Sequence, residues 1–268
     1  MLKETKEVNN HLKLFIKKDF IEFLTQLTSV SKLYLRQLNF WAKFFQNRCL
    51  LCGIPNVEGY FCLSCAREFS NLEARGYCAL CGKVYYLPSV HLCLDCQITP
   101  PSWHNFGFGC VLKGKFQQIL YEFKFKGDFS YLGYFTDLLE RTFWEQKFVY
   151  PDLILPVPMS RTELRKRGFN QSLELAKSLA KRLGTKVKHN CLVKRKDTKP
   201  QRILNKKERQ RNLKGAFEAK QKSLLTGQKV LVLDDIFTTG STCREITKVL
   251  LQHGVRHIEV LVLARAIS

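Results

Sequence analysis

No stretch of the 268-residue sequence is apolar for long enough to cross a bilayer as a helix. The opening MLKETKEVNNHLKLF carries acidic residues and has neither a sustained apolar run nor a small-residue cleavage site, so it does not read as a secretory leader. No repeat of solenoid period occurs, which excludes a stacked-repeat architecture. Acidic residues are scarce: 23 Asp and Glu stand against 44 Lys and Arg, a formal charge of +21. That surplus makes polyanions the natural partners, whether nucleic acid, anionic lipid or phosphorylated small molecules. Apolar residues make up 45% of the chain and aromatics 12%, enough for a packed core in one large domain or two modest ones. Eight of the eleven cysteines fall in four CxxC pairs. That usage suits thiolates kept reduced and metallated in a cytosol rather than a secreted disulfide scaffold, so a cytoplasmic location is expected.

Three regions follow from pattern changes along the chain. Residues 1–47 hold two helical stripes, Leu12, Ile16, Phe20, Phe23 and Leu27, then Val30, Tyr34, Leu38, Trp41 and Phe45, spaced by three or four. Lys13, Lys17, Lys18, Lys32, Arg36 and Lys43 lie among them, so this helical extension either docks on protein or rests on a membrane surface. Residues 48–98 are cysteine-rich and poor in periodic structure, as expected where metal replaces a hydrophobic core. After Thr99, Pro100 and Pro101 a second domain spans 105–268. There the pattern predicts a strand, a turn at Lys113 and Gly114, a short helix and a further strand edge within FGFGCVLKGKFQQILYEFKFKGD. A helix over 129–147, a strand over 153–157 and a helix ending at Gly184 follow. The strand 230–233, helix 241–252 and strand 258–263 complete a strand–helix–strand series that implies a parallel α/β sheet.

Cys49 and Cys52 precede Cys62 and Cys65 by nine residues, and Cys78 and Cys81 precede Cys93 and Cys96 by eleven. A CxxC turn aims two sulfurs at one centre, and Gly53 and Gly82 ease the tight backbone after it. Two four-cysteine zinc-ribbon sites are expected, paired either sequentially or in a cross-braced manner. With every position filled by sulfur, zinc would fold the module rather than perform chemistry. Cys110, Cys191 and Cys243 are left over and read as small packing residues.

The segment VLVLDDIFTTGST is the most informative. A buried strand runs into Asp234 and Asp235, then into Thr238, Thr239, Gly240, Ser241 and Thr242, where a helix begins. Amides at that helix N-terminus suit a phosphate, and Gly240 permits close backbone approach. The hydroxyls add donors, while the two carboxylates can accept from sugar hydroxyls or orient Mg2+ through water. An ordinary N-capped turn explains one hydroxyl but not the acidic pair.

This loop resembles the PRPP (5-phosphoribosyl 1-diphosphate) signature of type I phosphoribosyltransferases, which implies that the acidic pair meets the ribose hydroxyls and the loop holds the 5-phosphate. Phe237 departs from that signature in being bulkier than the aliphatic residue expected there, and no contact with the ligand-binding positions is expected of it. With the CxxC module, KFKGD at 124–128, PVP at 156–158, RGFNQ at 167–171 and the segment 198–217, residues 49–268 resemble the ComF family. That resemblance implies a competence protein of phosphoribosyltransferase fold, acting in natural transformation where single-stranded DNA crosses the inner membrane. It makes a DNA-translocating helicase and an inner-membrane DNA channel candidate partners and allows peripheral placement at that membrane.

By the same resemblance PVPMSRTELRKRGF occupies the place of the loop that holds diphosphate, so Arg161, Arg165, Lys166 and Arg167 are candidates for it. Residues 194–214 hold ten basic residues against two acidic, a net charge of +8. Arg202, Lys206 and Arg209 within them either cover the diphosphate from a mobile loop or track a DNA backbone. Tyr85, Tyr86, Trp103 and Phe106 either stack bases or pack internally. The fold relatives build their acceptor site from a hood, and the zinc module is expected to occupy that region. Three functions stand: a transferase acting on an unknown acceptor, a non-catalytic PRPP- or nucleotide-sensing component, and a basic zinc-containing adaptor for single-stranded DNA.

Overall fold

The computed structural model describes residues 48–55, 57–70, 76–85, 90–196 and 212–267. The two stripes in 1–47, Tyr86, and Arg202, Lys206 and Arg209 lie outside the described residues.

The cysteine-rich part is built from short pieces, α1 (Leu63–Ser70), β1 (Gly76–Cys78), β2 (Val84–Tyr85), β3 (Val90–His91) and α2 (Leu94–Ile98). Next come β4 (Asn105–Leu112), α3 (Gly114–Tyr121) and α4 (Leu132–Glu145), then β5 (Leu153–Pro156), α5 (Arg161–Arg167) and α6 (Gln171–Leu183). The chain continues through β6 (Lys186–Val187), β7 (Leu192–Lys194), β8 (Phe217–Ala219), α7 (Lys222–Leu225), β9 (Lys229–Phe237), α8 (Ser241–Gln252) and β10 (His257–Ala266).

Five strands form one sheet in the order β4-β10-β9-β5-β6, parallel at every pairing. Both faces are covered, which is why its strands read as near-continuous apolar runs. On one face Leu231, Leu233, Leu261, Leu263 and Ile154 meet α3, α4 and α6 through Phe116, Phe135, Leu139, Leu175 and Leu179. On the other, Val230, Val232, Val260, Val262 and Leu155 meet Ile246 and Leu250 of α8 and the β7–β8 hairpin. Helix α6 starts on an Asn170 cap whose side chain accepts from Leu173 N–H, and it ends on Gly184 in the left-handed region.

Two local expectations are corrected. Instead of a strand edge, EFKFK at Glu122–Lys126 forms a π-helical turn closed by Gly127 at φ 67°. Its alternation of Phe and Lys reads as strand, but only Phe123 is buried, against Phe129, Phe135 and Phe169, while Phe125 faces outward. The helix keeps the ring in that aromatic layer. The second correction concerns β9, which runs four residues further than its apolar core and carries the acidic pair on the strand itself.

Residues 48–98 pack on the sheet domain at two places. The first cysteine region lays Tyr60, Phe61 and Phe69 against Tyr134 and Phe116 of the helical layer. The second lies over β4, where Gly82 abuts the rings of Phe106 and Phe108 so closely that a Cβ would sit 2.6 Å from the former.

Candidate functional site

The carboxyl ends of β5 and β9 open into a cleft of about 720 Å³ lined by α5, the start of α6, the π-helical turn and the loop before α8. This is where parallel sheets bind ligands. Asp234 and Asp235 stand on its floor. Asp235 is buried and its Oδ2 receives the Lys124 ammonium at 2.8 Å and the Gln171 amide at 3.2 Å. Asp234 Oδ1 accepts from Ser172 Oγ at 2.9 Å and from the Asp235 N–H at 2.9 Å.

The two carboxyls are driven apart. Burial, then the neighbouring Asp235 charge, pushes Asp234 up to about 7, against the hydrogen bonds it accepts and the charge of Lys124. For Asp235 burial also works upward, but Lys124, Gln171 and the Arg167 charge together hold it below the usual carboxylate value. The environment thus favours the anion at Asp235 and the protonated form at Asp234.

The loop after β9 turns at Gly240, which has φ 75° and is the N-cap of α8. Thr238, Gly240, Ser241 and Thr242 line the cleft, and Thr239 Oγ1 lies 2.8 Å from Ser241 Oγ. Phe237, expected to leave the ligand positions alone, props the loop from beneath. A Cβ on Gly240 would lie 2.4 Å from its ring. The ring is held edge-on by Trp103 and Phe106.

Helix α5 opens with a capping box between Ser160 and Glu163. Thr162, Glu163, Lys166 and Arg167 line the cleft, whereas Arg161 and Arg165, one turn apart on another face, are exposed and do not. Arg167 sits 4.7 Å over the Phe125 ring. Glu163 Oε2 pairs at 3.0 Å with Lys194, whose own side chain is buried, tying α5 to β7. Among the described residues, none that line this cleft comes from 48–98. Trp103 and Phe106 are buried in the core, and Tyr85 stacks on His91 at 4.4 Å, which removes the first two as base-stacking platforms. Sequence reasoning singled out neither Lys124, Gln171 nor Ser172. The signal was present as KFKGD and RGFNQ, but only the fold shows that both stretches converge on the acidic pair.

The cysteines gather into two sets, Cys49, Cys52, Cys62 and Cys65, and Cys78, Cys81, Cys93 and Cys96, with sulfurs within 4.8 Å of one another in each. Pairing is sequential, not cross-braced. Each knuckle closes through a glycine amide, Gly53 to Cys49 O at 2.9 Å and Gly82 to Cys78 O at 2.8 Å, both glycines at positive φ. Burial raises the Cys93 thiol, but the Cys96 amide and the sulfurs around it outweigh that and bring it down to about 7. An all-sulfur tetrad with one easily ionised member fits a closed metal site. Cys110, Cys191 and Cys243 are buried outside both sets, as their packing role requires.

Residues 170–268 match the phosphoribosyl transferase domain family. The chain is 31% identical over 234 residues to competence protein F of Haemophilus influenzae, covering 83% of this chain and 99% of that protein. This chain belongs to the competence protein F (ComF) family. It is also 29% identical to the DNA utilization protein YhgH of Escherichia coli K12, over 82% of this chain and 97% of that one. Competence protein ComFC of Bacillus subtilis is 27% identical over 72% of this chain and 78% of its own. Among solved structures, adenine phosphoribosyltransferase from Thermoanaerobacter pseudethanolicus superposes with a TM-score of 0.33 at 18% identity, covering 52% of this chain and 83% of that one. For this ComF-family chain the type I phosphoribosyltransferase-like fold follows from the domain match and the all-parallel sheet order. Among the described residues, no helix is long and apolar enough to cross a membrane.

Proposed function

We propose that the chain binds PRPP with Mg2+ in this cleft and serves DNA uptake, transferring the phosphoribosyl group to an acceptor nucleophile with release of diphosphate. One observation carries the reading: a buried acidic pair, held by Lys124, Gln171 and Ser172, stands directly before a glycine-turned hydroxyl loop at a helix N-terminus. In this arrangement Thr238, Thr239, Ser241, Thr242 and the Gly240 turn hold the 5-phosphate, and Asp234 and Asp235 fix the ribose hydroxyls. The carboxylates and hydroxyls form an all-oxygen donor set that suits Mg2+, which when bound supplies positive charge for the departing diphosphate. Lys166 and Arg167 supply fixed cations on the opposite wall, with Arg202, Lys206 and Arg209 as further candidates on the basic segment. The chain's contribution is positional and electrostatic rather than nucleophilic.

Zinc is the metal proposed for both cysteine tetrads, in a folding role. The relatives' names, competence and DNA utilization proteins, support the cellular setting, and the charge of +21 supports contact with single-stranded DNA. A helicase and a membrane channel are the partners that setting calls for.

Calorimetric titration of Mg2+ and PRPP into wild type and into the Asp234→Ala, Asp235→Ala double variant tests the site. Binding to wild type that is lost in the variant is the expected result. If wild type does not bind, the cleft reading fails and weight moves to a DNA-handling adaptor. That adaptor's affinity for single strands must fall as salt rises and be indifferent to the Asp changes.

A further inference from the structure

Arg265 stands at the carboxyl end of β10, in register with Phe237 on β9 and Val111 on β4. It is buried, and among the described residues no carboxylate pairs with it. Its donors go instead to backbone carbonyls, one of them that of its chain neighbour Ala266 and two from distant parts of the chain. Nε binds Cys81 O at 3.0 Å, in the knuckle of the second cysteine tetrad, and Nη1 binds Phe237 O at 3.2 Å, the last residue before the phosphate loop. The guanidinium also lies 5.3 Å from the Phe237 ring, the ring on which Gly240 rests. A buried cation held by carbonyls alone needs negative charge nearby. A divalent ion bound by four thiolates carries net negative charge, and Arg265 Nε reaches the Cys81 carbonyl within that tetrad's knuckle.

A second strut runs parallel to the first. Trp103 Nε1 donates to Leu80 O at 2.8 Å, inside the same knuckle. Its ring meets Phe237 edge-on and carries Arg244, from the first turn of α8, 5.6 Å above it. Among the described residues the first tetrad has no such route. Its link is Tyr131, whose hydroxyl lies 3.2 Å from Leu50 O and 2.8 Å from Glu122, and it ends on the cleft wall rather than on the loop.

We infer that Arg265 is a positioning residue for the phosphate loop, and that it couples metal occupancy of the second tetrad, and not of the first, to the conformation of residues 237–242. The inference rests on reading those residues as the phosphate loop, so the test is chosen to stand without any ligand. Hydrogen exchange is followed in the zinc-loaded full chain for wild type, Arg265→Met, Arg265→Lys, Cys93→Ser and Cys62→Ser.

The expected result is that Arg265→Met and Cys93→Ser each speed exchange across 237–242 by about tenfold. Arg265→Lys, which keeps the charge but cannot reach both carbonyls, should give a smaller increase. Cys62→Ser should leave the loop at the wild-type rate, and β5 and α6 should not change in any variant. Equal loop exchange in wild type and Cys93→Ser, or an equal rise in Cys62→Ser, overturns the coupling. Should Arg265→Met fail to fold, Arg265→Lys and Cys93→Ser decide the matter. In wild type, coupling must also be reciprocal, so Mg2+ with PRPP should slow zinc loss to a chelator from the second tetrad only. Absence of PRPP binding counts against the proposed function, while the exchange result is read independently of it.

Discussion

The two cysteine tetrads share one plan, a pair of CxxC turns with a glycine after the first, yet they stand on different parts of the molecule. The first leans on a layer of rings, Tyr60, Phe61 and Phe69 against Tyr134 and Phe116, and belongs energetically to the helical face of the sheet. The second touches the sheet through directed polar contacts, Arg265 to Cys81 O and Trp103 to Leu80 O, beside the loop that closes the cleft. Aromatic packing is tolerant of small shifts, whereas a hydrogen bond to a fixed carbonyl transmits them. Similar local chemistry therefore has different consequences according to what the fold places next to it.

The largest effect that would sharpen this comparison is metal removal. Each tetrad should hold one zinc, and stripping both should forfeit on the order of 10 kcal/mol of apparent folding free energy per site across 48–98. Metal analysis of Cys49→Ser and Cys78→Ser should each find one equivalent fewer than wild type. Circular dichroism should show the parallel sheet persisting in both. A chain that keeps its full metal content in either variant breaks the tetrad assignment.

Next in size is a contrast between two glycines at nearly the same φ. A Cβ on Gly240 meets the Phe237 ring, while one on Gly53 meets nothing within 4 Å. Gly240→Ala should weaken PRPP binding by at least about tenfold, because loop and ring must part. Gly53→Ala should lower stability by about 1 kcal/mol through backbone strain alone and leave binding intact.

A medium effect comes from pH. Since burial and the Asp235 charge raise Asp234 to about 7, the folded protein holds that proton more tightly than the unfolded chain does. The stability this contributes is fully present below the ordinary carboxylate value and is lost as pH rises through about 7. Melting temperature should therefore fall between about pH 5 and about pH 8 in wild type and fall less in Asp234→Asn. PRPP affinity should move the other way in wild type, rising over the same window as the second carboxylate ionises.

The smallest effect expected is at Arg182, which joins Asp137 and Glu140 beneath the first tetrad's Tyr60. These groups are partly exposed, so Arg182→Ala should cost no more than about 1 kcal/mol in chemical denaturation. A larger loss would mean that the first tetrad depends on directed polar contacts beyond that of the Tyr131 hydroxyl with Leu50 O.

Much of the sheet was legible from local pattern, since the helix 241–252 announces itself by a glycine turn, a hydroxyl start and the spacing of Ile246 and Leu250. Strand β9 was found from its apolar run, but its end was not, because Asp234 and Asp235 are polar residues in extended backbone. The π-helical turn was missed because FKFK alternates as a strand does, and only the distant Phe169 and Phe129 explain why Phe123 turns inward. Strands β6, β7 and β8 have two or three residues each, too few for any period to show. At the site the acidic pair and hydroxyl loop were plain in one continuous segment. Lys124 and Gln171 are separated from Asp235 in the chain by more than 60 residues, so their roles depend on contacts that no local spacing encodes.

A sugar phosphate bound at the end of β9 would act first on the amides that surround it. Amide chemical-shift mapping of isotope-labelled protein during titration with Mg2+ and PRPP reads this residue by residue. The expected result is changes concentrated at 234–242, with Lys124 and Gln171 moving alongside. Perturbations confined to the basic segment 197–211, with the 234–242 amides still, would contradict binding at the end of β9.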